Sequence, residues 1–481
     1  MESVIKSFEF SSYDYKAKEV LEMNIDDCLS MMGRRSHFPA IFYIVDELAA
    51  NADRANLKRS YFLKNSIDID STKEYLGGIK DFKRQINSIS EELSEISSKN
   101  KYCIKIEIDF DHEKFCISIS NNNKILPIEV SKINNLINIS KSFNSVEEVL
   151  KTNIDTTEGG GVGIILTMLT LKKMGFNENS FKIQCLDNST TAKIEIDFAQ
   201  GDNVALDRIS ADAVNEIDAI PQFPEHILRI MNILENPNSN FDNVSEILKN
   251  DAALVADLIK TANSTMYILP KKVDSIEEVV RLLGIYTIKN LVITYTTNKI
   301  FMNKYNLSVI DEMMKHSSEV AFYGYEIARF LREKEDMDRA FIAGMLHDFG
   351  KIIIKSLRPE MIEKIEAICH AKGINNFFVE SLTNGYNHSV VGYKLAQKWR
   401  FPPYLIDAIR YHHIPLQASE ENKTLVYITY LANSVYYYKR GSLKFENINR
   451  KILKTFNLEE KDNFEVLSKG LFAKFENSKK R

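Results

Sequence analysis

The stretch AFIAGMLHDFGK, residues 340–351, sets the reading of this chain. Its apolar positions recur at helical spacing up to an adjacent pair, His347 and Asp348, so the pattern predicts a helix over 337–356 that offers two ligand-type side chains together. Related pieces lie on both sides. His316 stands upstream in KHSSEVAF (315–322), and HSVVGYKLAQKWRFPP (388–403) and AIRYHH (408–413) bring His388, His412 and His413 downstream. Five of the nine histidines fall between 347 and 413. Imidazoles gathered with one carboxylate suit zinc, iron or manganese, and His316, His347, Asp348, His388, His412 and His413 are the candidate metal ligands. For a single residue such as His370 the ordinary reading is a buried ring bonded to a carbonyl.

Around these residues, from Asp218 nearly to the end, the pattern is helical, with candidates at 223–235, 242–249, 251–263, 275–284, 287–304, 310–332, 337–356, 359–371, 375–383, 388–399, 403–413 and 422–439. Turn signals NPNSN (236–240), LPKK (269–272) and RFPP (400–403) punctuate them. The expectation is an all-α domain over 218–435 with a helical tail over 436–481, preceded by a polar linker at 201–217. The first half differs. Helical patterns at 20–58 (broken near Pro39) and 72–98 lead into YCIKIEID (102–109) and KFCISIS (114–120), whose alternation predicts a β-hairpin. A helix at 128–139, the glycines of 159–163, a helix at 165–175 and strands near 180–186 and 192–198 follow. This order predicts an α+β sandwich over 20–200, with helices on one face of a sheet.

Composition narrows the function classes. The 481 residues exceed one ordinary core, and 44% hydrophobic with 27% charged residues describe a folded multidomain chain. A balance of 62 basic against 66 acidic residues gives no field that would gather nucleic acid or an acidic membrane, and no nucleic-acid reader motif stands out. No run approaches the length of a membrane span, and the N-terminus lacks a signal-peptide pattern. Five separated cysteines without a C-x-x-C pair point to a reducing, cytoplasmic setting.

Two spots in the first half carry chemistry. In ELAANADRA, Glu47 and Asn51 share a helix face at i and i+4, where a carboxylate and an amide can position a water and complete an oxygen shell for Mg²⁺. In EGGGVGIILTML, Gly159, Gly161 and Gly163 open a helix, where bare backbone amides and the helix dipole favour phosphate. With the hairpin between them, these boxes resemble the GHKL, or histidine-kinase-like, ATPase domain over about 25–200. The resemblance implies ATP held between helices and sheet, Glu47 as the catalytic carboxylate, Asn51 on Mg²⁺, the glycines around phosphate and Thr190 near adenine. The family's D-x-G-x-G stretch aligns with Asn121-Asn-Asn123-Lys-Ile125, so Asn121 takes the adenine-reading position without a carboxylate's strength, and both glycines are absent. His37, ahead of Pro39, lies on no upstream dimerising hairpin, which counts against autokinase activity.

The second half resembles the HDOD domain, a relative of HD phosphohydrolases in bacterial signalling. The blocks AIPQFPEHILRIMNIL (219–234), ILKNDAALVADLIKTANS (247–264) and SIEEVVRLLGIYTIKNLVI (275–293) carry it, together with the histidine motifs above. The six candidate ligands match positions of the related HD-GYP phosphodiesterases, with Lys351 facing phosphate; Asn433 in TYLANS replaces the last Asp, and the G-Y-P stretch is missing. The resemblance implies a signal-transduction protein in which a nucleotide-binding unit regulates an HDOD output domain that addresses a partner signalling protein, with a second copy of the chain as a further candidate partner. A metal-dependent phosphohydrolase acting on a nucleotide or cyclic dinucleotide, and an anti-sigma-type serine kinase, are the rival readings.

Overall fold

A computed structural model describes residues 3–69, 71–152, 161–186, 189–199, 209–263, 272–331, 334–372 and 376–478. The chain divides into two compact units, Met1–Arg208 with Lys364–Gly385, and Ile209–Glu363 with Tyr386–Arg481. In chain order the first part runs β1 (Val4–Phe10), α1 (Tyr15–Met31), α2 (Phe38–Lys64), α3 (Thr72–Lys99), β2 (Ile104–Phe110), β3 (Lys114–Asn121), α4 (Pro127–Ser140), α5 (Val146–Leu150), α6 (Val162–Lys173), β4 (Phe181–Leu186) and β5 (Ser189–Asp197). Then come α7 (Ala211–Ala219), α8 (Glu225–Glu235), α9 (Phe241–Leu248), α10 (Ala252–Ala262), α11 (Ile276–Lys304), α12 (Leu307–Leu331), α13 (Lys334–Leu346), α14 (Gly350–Leu357), α15 (Pro359–Lys372), α16 (Asn376–Ser381), α17 (His388–Lys398), α18 (Pro403–Tyr411), α19 (Lys423–Lys439), α20 (Arg450–Thr455) and α21 (Lys461–Ser478).

In the first unit the five strands form an antiparallel sheet in the order β1-β2-β3-β5-β4. Alternation puts Ile104, Ile106, Ile108 and Phe110 of β2 on the same buried face as Phe115, Ile117 and Ile119 of β3, while Lys105, Glu107 and Ser118 turn away. Helix α2 packs on this buried face, giving the expected α+β arrangement. Tight turns fix the register: Asp111 Oδ1 accepts from the backbone N–H of Glu113 and Lys114, closing the β2–β3 hairpin. The edge strand β1 was not foreseen, because VIKSFEF pairs with β2 on one side only and is half exposed along its whole length. Its return into α1 is pinned to α2 by Tyr13, whose N–H donates to Asp53 Oδ1 at 3.0 Å and whose hydroxyl donates to Asp46 Oδ1 at 2.8 Å. His37 is buried and sits edge-on to Phe198, a packing residue.

The second unit is helical throughout its described residues. Two expected helices join: Gly284 adopts φ +81 within α11, so the segments 275–284 and 287–304 run on across a kink only glycine adopts without strain. One expected helix splits. The segment 337–356 breaks at His347–Phe349 into α13 and α14, because the His-Asp pair turns into the interior instead of continuing the spiral. Residues 211–219, within and just beyond the expected linker, form α7, which packs on α14 and α17 and joins them through Asp212, paired with Arg358 and accepting from the Tyr386 hydroxyl at 3.0 Å. Residues 201–208 lie outside the described residues.

One-sided burial of the sheet is testable. Ile117→Ala is expected to destabilise the first unit by about 2–5 kcal/mol, whereas Ser118→Ala on the opposite face should stay within about 0.5 kcal/mol. Urea unfolding followed by circular dichroism measures both, and equal losses would contradict the arrangement.

Candidate metal centre

The candidate ligands of the second unit converge. His316 comes from α12, His347 from the end of α13, Asp348 from the turn before α14, His388 from the first position of α17, and His412 and His413 from the end of α18. Asp348 is fully buried, and the two oxygens of its carboxylate face different histidines. Oδ2 lies 3.2 Å from His316 Nε2 and 3.4 Å from His347 Nε2; Oδ1 lies 3.2 Å from both His388 Nε2 and His412 Nε2. His413 Nε2 is 3.1 Å from His388 Nε2. The ligand-type atoms therefore form two groups, His316–His347–Asp348 and Asp348–His388–His412–His413, each within 4.8 Å, joined by Asp348.

Close helix crossings make this convergence possible. A Cβ on Gly344 would collide with the backbone of Ala321, so glycine there lets α13 approach α12 closely enough to bring His347 to His316. A Cβ on Gly350 would overlap the carbonyl of His388 and press on the N–H of Gly392, so α14 and α17 meet backbone to backbone at the site. Asn387 caps α17 by accepting from Val390 N–H at 3.1 Å, which fixes where His388 starts. The site residues were legible in the sequence; these glycines were passed over, although GMLHDFGK and VVGYK carry them one turn or less from the ligands.

The protonation pattern follows from hydrogen bonding and burial. His347 Nδ1 is 2.8 Å from the Gly344 carbonyl and His412 Nδ1 is 2.9 Å from that of Ile409. A carbonyl only accepts, so each Nδ1 carries a proton, and the His412 ring, which burial keeps neutral, turns its Nε2 lone pair toward Asp348. Burial pushes the His316 ring down to about 4 and the His412 ring down to about 3, and it holds His413 well below the ordinary range as well, despite the carboxylate nearby. Burial opposes ionisation of Asp348, but the Lys351 ammonium 2.7 Å from Oδ2, with His347 and His316 beside it, holds the acid well below its usual value. The neutral His412 imidazole thus presents a lone pair to an ionised carboxylate, and among the described residues the buried Asp348 Oδ1 has no hydrogen-bond donor. Acceptors facing acceptors at 3.2 Å repel unless a cation lies between them.

Around this centre stand residues the sequence reading did not single out. Tyr436 meets His316 edge-on at 4.2 Å, Tyr437 lies 5.6 Å from the same ring, and the Arg440 guanidinium stacks 3.6 Å over Tyr436 while paired with Glu319. Asn433, already placed by the sequence where the related pattern has its last Asp, precedes these tyrosines by one turn of α19, is 4% exposed, and its Oδ1 has no donor among the described residues.

In the first unit the candidate nucleotide residues fall into two groups. The Asn51 amide donates to Glu47 Oε1 at 3.2 Å, and Gly163 packs so closely that a Cβ there would overlap the Glu47 carboxylate. Gly161 caps α6 with φ +96 against Leu136. At the sheet end, Asn121 pairs across from Thr190; its amide donates to Asn56 Oδ1 at 3.3 Å, and the Thr190 hydroxyl donates to the Asn123 carbonyl at 2.9 Å. Gly159 lies outside the described residues.

Two measurements check the centre. Between pH 6.5, where an unfolded histidine titrates, and about 4, the unfolded chain binds protons that His316 and His412 refuse. Stability therefore falls as pH drops through that window, by about 1.4 kcal/mol per pH unit for each ring. Chelator-treated protein should lose urea resistance accordingly and His412→Gln should flatten the slope; a wild-type profile flat from pH 6.5 to 4 would contradict the assignment. Gly350→Ala should push α17 from α14 and lower thermal stability by at least about 1 kcal/mol, which scanning calorimetry reads; an unchanged melting profile would contradict the close crossing.

The HDOD domain family matches residues 220–415. An uncharacterized protein of Treponema pallidum (strain Nichols) is 26% identical over 452 residues, covering 93% of this chain and 87% of that one, a match that runs through both units. Among solved structures, a proposed phosphohydrolase from Shewanella amazonensis SB2B is 25% identical, covering 55% of this chain and 94% of that one with a TM-score of 0.42. An HDOD domain protein with unknown function from Geobacter sulfurreducens is 22% identical, covering 56% and 94%, with a TM-score of 0.43. Among the described residues no helix is long and apolar enough to cross a membrane. Residues 220–415, with five of the six candidate ligands at the ends of α13, α17 and α18 and the sixth on α12, are an HDOD domain.

Proposed function

We propose that the HDOD domain is a metal-holding signalling output module addressed to a partner protein, and that the N-terminal unit responds to a nucleotide. The observation that carries the first part is the convergence of four imidazole Nε2 atoms on the buried Asp348 carboxylate at 3.2–3.4 Å. His316, His347 and Asp348 would hold one ion, and Asp348, His388, His412 and His413 another; imidazole with carboxylate suits zinc, iron or manganese. Lys351 balances the buried charge of Asp348, and Gly344 and His347 keep a fixed tautomer aimed at the centre. The burial of the centre favours an output role over catalysis: His316 is 6% exposed, His347 1%, and Asp348, His388 and His412 are wholly enclosed.

A second reading, metal-dependent hydrolysis of a phosphoester in a nucleotide or cyclic dinucleotide, is favoured by the sharing of Asp348 between the two groups. Paired ions of that kind polarise a phosphoryl oxygen and activate a water when bound. In the N-terminal unit the resemblance to GHKL domains supports Asn51 as the Mg²⁺ ligand, Glu47 as the carboxylate beside it, Gly159, Gly161 and Gly163 around phosphate, and Asn121 with Thr190 near adenine. The separated cysteines support a cytoplasmic setting.

Metal analysis of the full chain by mass spectrometry is expected to find stoichiometric transition metal in wild type and little in Asp348→Asn; equal, negligible contents would end the metal reading. Incubation with bis(p-nitrophenyl) phosphate and Mn²⁺ is expected to give no turnover, and turnover abolished by Asp348→Asn would put the phosphohydrolase reading in its place. Calorimetric titration of ATP with Mg²⁺ should show binding by wild type that Asn51→Ala loses. A wild type that takes up no ATP overturns the nucleotide part.

A further inference from the structure

Residues 364–385 lie within the HDOD match along the sequence, yet they pack into the first unit. The contacts are specific. Phe378 of α16 stacks on Tyr43 of α2 with ring centroids 4.0 Å apart, one turn before Glu47 and two before Asn51. The Leu382 carbonyl accepts from Val146 N–H of α5 at 3.2 Å, and the Asn384 N–H donates to the Glu147 carboxylate at 2.9 Å. From the end of α6, Lys173 Nζ donates to the Thr383 carbonyl at 3.0 Å and to Asn384 Oδ1 at 3.3 Å.

The elements holding this segment carry or flank the helical part of the candidate nucleotide residues. Helix α2 presents Glu47 and Asn51, and α5 and α6 flank residues 151–161 with their glycines. On its other side the segment leads directly to a candidate metal ligand. Past Asn384 come Gly385 at φ +93, Tyr386, and the capping residue Asn387, and then His388 opens α17. Only three residues separate the clamped stretch from the imidazole that faces Asp348.

We infer that the clamp on residues 378–384 is a coupling device, through which the arrangement of α2, α5 and α6 sets the position of His388. Its two inputs, nucleotide at one end and metal at the other, rest on the functions proposed above; the mechanical link rests on the contacts alone. Movement of α5 or α6 pulls the Leu382, Thr383 and Asn384 backbone through hydrogen bonds to a carboxylate, an ammonium and an amide. The positive-φ glycine is the single soft joint before the α17 cap. A route from α2, α5 and α6 to His388 thus runs through residues 378–388.

Hydrogen exchange read by mass spectrometry on the full, chelator-treated chain tests this without relying on metal or nucleotide. In Glu147→Ala/Lys173→Ala, peptides covering 388–398 should exchange about tenfold faster than in wild type, the order expected when charged hydrogen bonds that restrain a helix start are removed. Peptides from the sheet, 104–121, should be unchanged, and Lys182→Ala, which breaks only a pair with Glu195 on the sheet, should leave 388–398 at the wild-type rate. Unchanged exchange at 388–398 overturns the coupling, as does a rise matched at 104–121, which reports general unfolding. In metal-loaded protein the same double variant should bind Mn²⁺ several-fold more weakly. Absence of metal in wild type would count against the metal centre alone and leave the exchange result standing.

Discussion

A single buried carboxylate organises the helical unit. Asp348 faces Nε2 atoms of His316, His347, His388 and His412 at 3.2–3.4 Å, and these side chains arrive from four places on the chain. An ionised carboxylate in an enclosed site is costly unless charges and donors surround it. Lys351 answers one oxygen, and among the described residues no donor is seen for the other. The helices α12, α13, α14, α17 and α18 therefore pack around a centre that contributes little to stability by itself. Local departures from ideal satisfaction of this kind mark function more often than folding.

The packing around that centre depends on residues without side chains. Gly344 and Gly350 remove the atoms that would keep α12 from α13 and α14 from α17, and in each case the neighbour is backbone, which cannot step aside. The aromatic and ionic residues of α19 then close one side: Arg440, held by Glu319, lies over Tyr436, and Tyr436 bears on His316. Orientation of one ligand is thus fixed by a stacked cation some distance from the carboxylate.

The first unit shows the same separation between scaffold and site. Its sheet buries one face through strict alternation, and the candidate nucleotide residues lie on α2, at the start of α6 and at one end of the sheet. A trio of asparagines, Asn56, Asn121 and Asn123, joins α2 to the sheet end through side-chain amides, so the neutral residue at position 121 has a structural partner in the described arrangement. The stretch 364–385, helical by pattern and continuous with the HDOD sequence, is held by α2, α5 and α6. Contact and chain order disagree there, since the segment belongs to one unit by packing and leads along the chain to His388 in the other.

The sequence alone determined the element types, since periods of two and 3.6 are properties of local side-chain geometry. It also named the metal-ligand candidates, because histidine and aspartate in HDFGK, HSVVGYK and RYHH have a chemistry independent of where they end up. Tertiary structure decided what local pattern cannot encode. The half-exposed strand β1 exists only through its pairing with β2, and the helix predicted over 337–356 breaks because His347 and Asp348 are drawn inward by distant histidines. The value of Gly344 and Gly350 appears only when a second helix lies against them. That residues 378–384 belong with α2, α5 and α6 depends on contacts across more than two hundred positions, such as Lys173 with Thr383, to which no periodicity along the chain is sensitive.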